Sequence, residues 1–333
     1  TPGRARVLDT VVKTPPDKTP TAASKTPPAG VKVPPTITYR RPPEGRDVSQ
    51  VALAGPMTVE VVDPDAAKDA ESSVIVALTA GEGVKLDVRC ILPPDRQGQG
   101  NDDALTEGRF VGQVFLQLGG PGSPDLVPLT TGLPRLLGGP VIEDPAAEAA
   151  ATAATSGPPA APTVTRALNV GGKDLIAAAY NDQRRPDGTP ATLSAQARLI
   201  ENGQLDCTDH AYARPVEQLY LGERLYLRVI DPDRDTTNER DVVQAEMTST
   251  SGERETVRLE ETLPHSGVFT ASFPLQATEK PTPGNLNPAE PILEAFFGDT
   301  VTVKCSDPVA LTETGELELV RELPVVIGTN GEL

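Results

Sequence analysis

Tryptophan is absent from this 333-residue chain, and the other aromatics are sparse, with six Phe and five Tyr. A large core built around aromatic rings is therefore excluded, because such rings supply much of the buried area in cores of that kind. Histidine occurs only twice, as His210 and His265. A zinc site of histidines or a Ser-His-Asp triad has little to draw on, and no Gly-x-Ser-x-Gly elbow is present. Three cysteines, Cys90, Cys207 and Cys305, are too few for a disulfide scaffold, and one must be left over. Basic residues are in deficit, 30 Lys and Arg against 47 Asp and Glu, a net charge of −17. That balance disfavours a nucleic-acid partner, since phosphates attract basic surfaces. It suits a self-repelling soluble surface, or one that collects cations. No run of 18 apolar residues exists, so no segment reads as a membrane-spanning helix.

Proline, by contrast, is plentiful at 35 residues, beside 29 Gly. Proline breaks helix interiors, which argues against a helical bundle. Its distribution is uneven: 23 of the 35 fall within residues 1–43, 119–163 and 276–291. The remaining sequence has an ordinary proline content of roughly 5%, so Pro-rich appendages are carried by conventional domains. The chain opens at Thr1 in mid-pattern, without an initiator Met or a signal peptide, and is expected to be processed or an excerpt of something longer.

An internal repeat organises the text. Residues 50–66 read QVALAGPMTVEVVDPDA and residues 218–234 read QLYLGERLYLRVIDPDR, an offset of 168 without a gap. Further blocks follow in the same order. Val74 to Ala77 corresponds to Val242 to Ala245, and Leu86 to Arg89 answers Thr256 to Arg258 with a one-residue slip. Gly108 to Phe110 answers Gly267 to Phe269, and Asp174 to Asp182 answers Asp299 to Asp307. These are two copies of one domain. A fainter echo links Ala5 to Asp9 with Ala197 to Glu201, and more loosely with Leu319 to Leu323. It predicts that residues 1–10 close a preceding unit, so that the chain is cut from a longer array.

Alternation gives the secondary structure. Met57 to Val62, Val84 to Arg89, Phe110 to Leu116, Leu225 to Ile230, Glu255 to Glu260 and Thr300 to Lys304 all have period two. One apolar and one polar face is the pattern of strands half-buried in a sandwich. Asp-Pro, Ser-Gly and Gly-Asp dipeptides punctuate them as turns. About seven short strands per unit and no amphipathic helix predict an all-β chain of two tandem antiparallel β-sandwich domains. Phe110, Phe115, Phe269 and Phe273 are the expected large core side chains.

The expected organisation is an end strand plus Pro-rich arm over 1–43, a first repeat over 44–203 with an insertion at 119–163, and a second repeat over 204–333. The arm, residues 11–43, reads as an extended polyproline-like segment. The insertion holds an apolar piece and an Ala-rich piece, Ala146 to Ala154, with the composition of a short helix. Residues 276–296 are its shorter counterpart. Loops this long in a compact domain are usually functional or disordered.

Val229 to Asp233, Thr248 to Thr262, Ser266 to Thr270 and Gly298 to Val303 resemble Ig-like repeats in very long bacterial cell-surface and extracellular proteins. In that pattern a V-x-D-P-D strand end leads to a strand pair. A T-G-x-F-x-G strand follows, and a G-D-x-I-x-V-x-Y-x-D strand closes the unit. The resemblance covers most of 218–310 and, loosely, 50–182. The first copy departs at Lys173, where the pattern has Gly. The second has Cys305 where Tyr180 keeps the pattern's aromatic. These motifs punctuate structure, so they specify fold better than role. The resemblance implies an exported, repetitive, load-bearing or adhesive protein and not an enzyme.

Asp231, Asp233 and Asp235 alternate and Asp241 follows. Such spacing can gather carboxylates around Ca²⁺, which takes six to eight oxygens. It equally suits a strand-ending turn in which Asp side chains accept from nearby backbone N–H groups. The first copy offers Asp63, Asp65, Asp69 and Glu71. No Gly stands at the sixth position, which excludes an EF-hand. His265 and Ser266 read as a turn, and Gly119 to Gly122 lacks the Lys and helix of a phosphate loop. Cys207 is a candidate for a disulfide with Cys305 or with a neighbour's cysteine, while Cys90 and Cys305 in strand text also read as small buried apolar residues.

The expectation is a structural subunit or repeat segment of a secreted bacterial fibre, stalk or surface layer, at the cell surface or outside it. Its partners are copies of itself or further repeats of the same chain, through sandwich stacking and Pro-rich arm contacts. The rivals are an adhesin presenting the insertion and an accessory domain pair of a larger secreted enzyme.

Overall fold

The computed structural model describes residues 4–8, 49–53, 55–81, 83–94, 102–128, 136–141, 164–183, 188–278 and 292–327. The Pro-rich stretch 11–43 and the Ala-rich piece 146–154 lie outside them. The chain divides into two compact units, the second made of the chain from Leu199 onward together with the short pieces Leu118–Gly120 and Gly171–Lys173. Both are built of strands.

In the first unit the strands are β1 (Arg4–Leu8), β2 (Ser49–Val51), β3 (Met57–Val62), β4 (Ser73–Ala80), β5 (Val84–Ile91) and β6 (Arg109–Leu118). They continue as β7 (Leu126–Pro128), β8 (Gly139–Pro140), β9 (Val164–Val170), β10 (Leu175–Asp182) and β11 (Ala191–Leu199). One short helix, α1 (Asp102–Glu107), precedes β6. The second unit contains β12 (Gln204–Thr208), β13 (Leu219–Tyr220), β14 (Arg224–Ile230), β15 (Val242–Ser249), β16 (Arg254–Glu261), β17 (Val268–Ala277), β18 (Leu293–Ala295), β19 (Thr300–Asp307) and β20 (Leu317–Val326).

The two units share one strand order. The first runs β1-β3-β6-β5-β4-β10-β11-β2 and the second β12-β14-β17-β16-β15-β19-β20-β13. Lettered along the chain, the second unit reads A-B-E-D-C-F-G-A′. β16 pairs with β15 over seven positions and with β17 over only two, so among its long strands the sheet is weakest between β16 and β17 and curls there as a sandwich does. The short A′ strand β13 runs parallel to the last strand β20, Leu219 beside Val325.

Registers repeat as well. Val61 pairs with Phe110, and Val229 with Phe269. Val76 pairs with Val88, and Ala245 with Val257. The match of Val76 to Ala245 moves the offset from 168 to 169 after the Asp-Pro-Asp turn. Val74 therefore answers Val243, not Val242, as the buried positions of the two strands also require. One extra residue in the second copy's turn explains the shift.

Residues 4–8 correct an expectation. They do not close a preceding unit: β1 pairs with β3, Arg4 beside Val62, just as β12 pairs with β14, Gln204 beside Ile230. The likeness to Ala197 to Glu201 reflects only a shared apolar-basic alternation: β1 ends the sheet, whereas β11 lies between β10 and β2. The closing strands are β11 and β20.

Alternation places the core. Along β16 every second residue is buried, and along β15 the same holds in phase. Phe110, Phe269 and Phe273 are fully buried, and Phe115 is buried as well. Full burial of such a side chain contributes about 1.5–3 kcal/mol relative to exposure. The insertion of the first unit is partly strand: β7 pairs with β9, and β8 adds to β5. The second unit's counterpart supplies β18, parallel to β17.

One contact explains why the Asp-Pro-Asp and Gly-x-Phe motifs occur together. Asp63 N donates to Gly108 O at 2.7 Å, and Asp231 N to Gly267 O at 2.8 Å. Both glycines have φ near +60°. A Cβ on Gly108 would lie 2.4 Å from Pro64 Cα, and one on Gly267 2.9 Å from Pro232 Cα. Only glycine accepts that backbone conformation and that approach without strain.

All three cysteines are free thiols and all are buried. The expected Cys207–Cys305 disulfide is not formed. Cys207 lies on β12 and Cys305 on β19, strands that are not neighbours in the sheet order, and both fill the same apolar core. Burial pushes the Cys90 and Cys207 thiols up to about 12. They serve as small core residues, since the reactive form is the thiolate.

Candidate functional site

The ends of β14 and β19 bring buried acids together. After Ile230 the chain leaves the sheet through a 3-10 turn, Pro232–Arg234, that starts at Asp231. Proline fixes the first helical φ there and has no N–H to satisfy. Asp231 and Asp233 thereby point inward, and Asp307 at the end of β19 meets them. One carboxylate oxygen from each lies within 4.8 Å of the others. Asp231 is 2% exposed, Asp233 5% and Asp307 0%.

Their hydrogen bonds are uneven. Asp307 Oδ2 accepts from Gly203 N at 2.9 Å, and its Oδ1 from Val309 N at 3.0 Å. Asp233 Oδ2 accepts from Glu201 N at 3.1 Å. Oδ1 of Asp231 and Oδ1 of Asp233 are buried with no donor among the described residues. Burial pushes the Asp231 carboxyl well above the ordinary carboxylate range, and the charges of Asp233 and Asp307 add to the effect. Asp233 is raised too, by burial first, with the Glu201 N–H opposing. Arg234 offsets part of the negative charge, though its guanidinium also donates to Ser306 O at 3.1 Å. Buried carboxylates without donors are costly unless a proton or a cation neutralises them.

The second acidic group is Asp235, Asp241 and Glu261. Here donors abound. Asp241 Oδ2 accepts from Thr236 N at 2.7 Å and Thr237 N at 2.9 Å. Glu261 Oε1 accepts from Gly267 N at 2.7 Å and Ser266 N at 2.8 Å, and its Oε2 from Asp241 N at 3.2 Å. His265 Nδ1 lies 3.0 Å from Asp235 Oδ2. Burial raises Asp235 to about 6, with His265 pulling it down. These carboxylates hold the turn between β14 and β15 and the turn between β16 and β17.

The four aspartates expected as one calcium set are thus divided between two clusters. Asp231 and Asp233 stand together, whereas Asp235 and Asp241 belong to the turn network. Sequence spacing misses Asp307 and Glu261, which are far along the chain. The signal for Asp307 was in the repeat, where it aligns with Asp182 at the end of the closing strand. His210 is exposed.

The first unit treats the equivalent Asp63 differently. Its Oδ1 accepts from Asp65 N at 3.0 Å and Ala66 N at 3.2 Å, and its Oδ2 from Tyr180 Oη at 2.6 Å. There the turn reading of Asp-Pro-Asp holds in full. Asp69 likewise caps its own turn, accepting from Glu71 N at 3.1 Å and Ser72 Oγ at 2.9 Å.

Neither a protein-family model nor a curated protein matches this chain.

Proposed function

We propose that the chain is a structural repeat segment of a long exported bacterial protein, a fibre, stalk or surface layer, and that it performs no catalysis. The observation that carries this reading is the doubled architecture: two units with one strand order, one register scheme and one set of turn motifs. A domain duplicated with its punctuation but not with its polar clusters fits selection for a repeated scaffold. Each unit owns a core, so units can be added in series without redesign. The parallel β13–β20 pair, near opposite ends of the second unit's chain, supports a load-bearing role. Tension on the ends strains its hydrogen bonds together, in shear, and not one at a time. The acidic surface keeps such units from collapsing onto one another, and Pro-rich arms, already low in conformational entropy, suit contacts between copies.

The test is electron microscopy of the purified full chain, with sedimentation velocity over a hundredfold concentration range. Filaments, sheets or end-to-end oligomers are expected. A monodisperse monomer throughout the range overturns the assembly reading.

A further inference from the structure

We propose that Asp231, Asp233 and Asp307 form a binding site for a hard divalent cation, calcium by preference, in the second unit. The inference is independent of the assembly reading and rests on a contrast within the molecule. Asp63 and Asp231 occupy the same place in the repeat, at the end of equivalent strands, with the same glycine carbonyl accepting from their backbone N–H. Every oxygen of the Asp63 carboxylate has a donor. At Asp231 the 3-10 turn makes no side-chain cap hydrogen bond, and Oδ1 has no donor among the described residues. The phenol that serves Asp63 is also replaced, because Cys305 stands where Tyr180 does. The Cys305 thiol turns to Gln244 O at 3.4 Å.

What surrounds Asp231 instead is further acid. Asp233 brings an oxygen that also lacks a donor, and Asp307 brings one whose backbone donor leaves a lone pair open. Oxygens that share one cation at 2.3–2.6 Å can be at most about 5 Å apart. The 4.8 Å limit on these three meets that condition. An all-carboxylate donor set selects a hard ion. Magnesium keeps several waters and dehydrates reluctantly, whereas calcium accepts irregular, largely protein-made shells. Residues exposed by 5% or less favour the ion that sheds its water. Bound there, the cation ties the turn after β14 to the end of β19. Through Glu201 N and Gly203 N it also ties in the segment that leads into β12.

The second acidic cluster supports no such site, because backbone and side-chain donors already serve its carboxylates.

The experiment is calorimetric titration of calcium chloride into the EDTA-stripped full chain, with magnesium chloride in parallel. Thermal unfolding is followed in EDTA and in 10 mM calcium. One ion per chain is expected, with a dissociation constant on the order of 10⁻⁴–10⁻³ M, and a rise in Tm with calcium. Asp231→Asn and Asp307→Asn should each weaken binding at least tenfold. In EDTA Asp231→Asn should melt no lower than wild type, since it removes a crowded charge; Asp307→Asn loses an acceptor for Gly203 N or Val309 N and serves only in the binding titration. Absence of saturable binding overturns the proposal, as does equal or tighter binding of magnesium. So does calcium affinity unchanged in both variants, or lost in Asp241→Asn and kept in Asp307→Asn. An Asp231→Asn variant that melts lower in EDTA and yet retains its calcium response assigns that acid a structural role and also overturns it.

Discussion

Tyr180 donates its phenolic hydrogen to Asp63 across 117 positions of sequence, at 2.6 Å, inside the first unit. The bond ties the end of β10 to the turn that follows β3. Burial, then the hydrogen bond and the charge of Asp63, push the phenol far above its ordinary range. Tyr180→Phe leaves Asp63 Oδ2 without its donor. A buried acceptor so stranded costs about 1–3 kcal/mol. Denaturant unfolding should report a loss of that size, and Tyr180 should be missing from a spectrophotometric titration of tyrosines until the unit unfolds. A loss under 0.5 kcal/mol would contradict the geometry.

Gly267 sits at φ 61° with the Pro232 backbone against it. Gly267→Ala imposes a left-handed conformation on an L-residue, which costs roughly 1–2 kcal/mol. The 2.9 Å approach to Pro232 Cα adds a clash with backbone that cannot swing aside. Gly188 has φ 72°, close to that of Gly267, but open space around its Cβ position. Gly188→Ala should therefore be the milder of the two in thermal melts, because it carries a similar backbone cost without the close contacts.

Fold was more legible in this sequence than site. Period-two alternation is local, so Leu225 to Ile230 and Thr300 to Lys304 announce strands from a few residues each. Duplication then supplied the domain count. The assignment of Arg4–Leu8 failed because an edge strand's composition does not say which strand it pairs with; only the register beside β3 decides that. The buried acids failed for a related reason. Asp231, Asp233, Asp235 and Asp241 look like one set along the chain. The 3-10 turn, however, rotates successive side chains into different neighbourhoods. Asp307 enters from another strand altogether.

Glu253 and Glu255 bury carboxyls at the start of β16, and Glu253 Oε1 and Oε2 and Glu255 Oε1 have no donor among the described residues. Burial, reinforced by Glu255, raises Glu253 from an ordinary 4.5 to about 7. Glu255 is raised as well, by burial. An acid whose folded pKa is raised binds more protons when folded. Its contribution is complete below 4.5 and is lost as pH rises through about 7. Glu253→Gln, a permanent stand-in for the protonated acid, should match wild type near pH 5 and exceed it in Tm at pH 8. Equal melting temperatures at pH 8 would count against the raised carboxyl.

Asp206 titrates in the opposite sense. Burial pushes its carboxyl up. Hydrogen bonds from Arg321 at 2.9 Å, Arg228 at 3.1 Å and Gln204 at 2.7 Å outweigh that and leave it below the usual 3.8. The same Arg321 donates to Leu205 O at 2.8 Å, so one side chain clamps β20 to β12 at two points. A depressed acid contributes stability above its unfolded pKa and loses it as pH falls through the lower folded value. Asp206→Asn should therefore cost on the order of 2 kcal/mol at pH 7. The half-exposed Arg321 keeps the cost below that of a fully buried pair. The deficit should shrink as pH falls below 3.8 and wild type itself loses the charge. With Glu253 eroding stability as pH rises above 4.5 and Asp206 as it falls below 3.8, these two groups place the optimum of the second unit near pH 4. A variant carrying both Glu253→Gln and Asp206→Asn should show a flatter melting-temperature profile across pH 3–8 than wild type, and retention of the full wild-type curvature would mean that other groups set it.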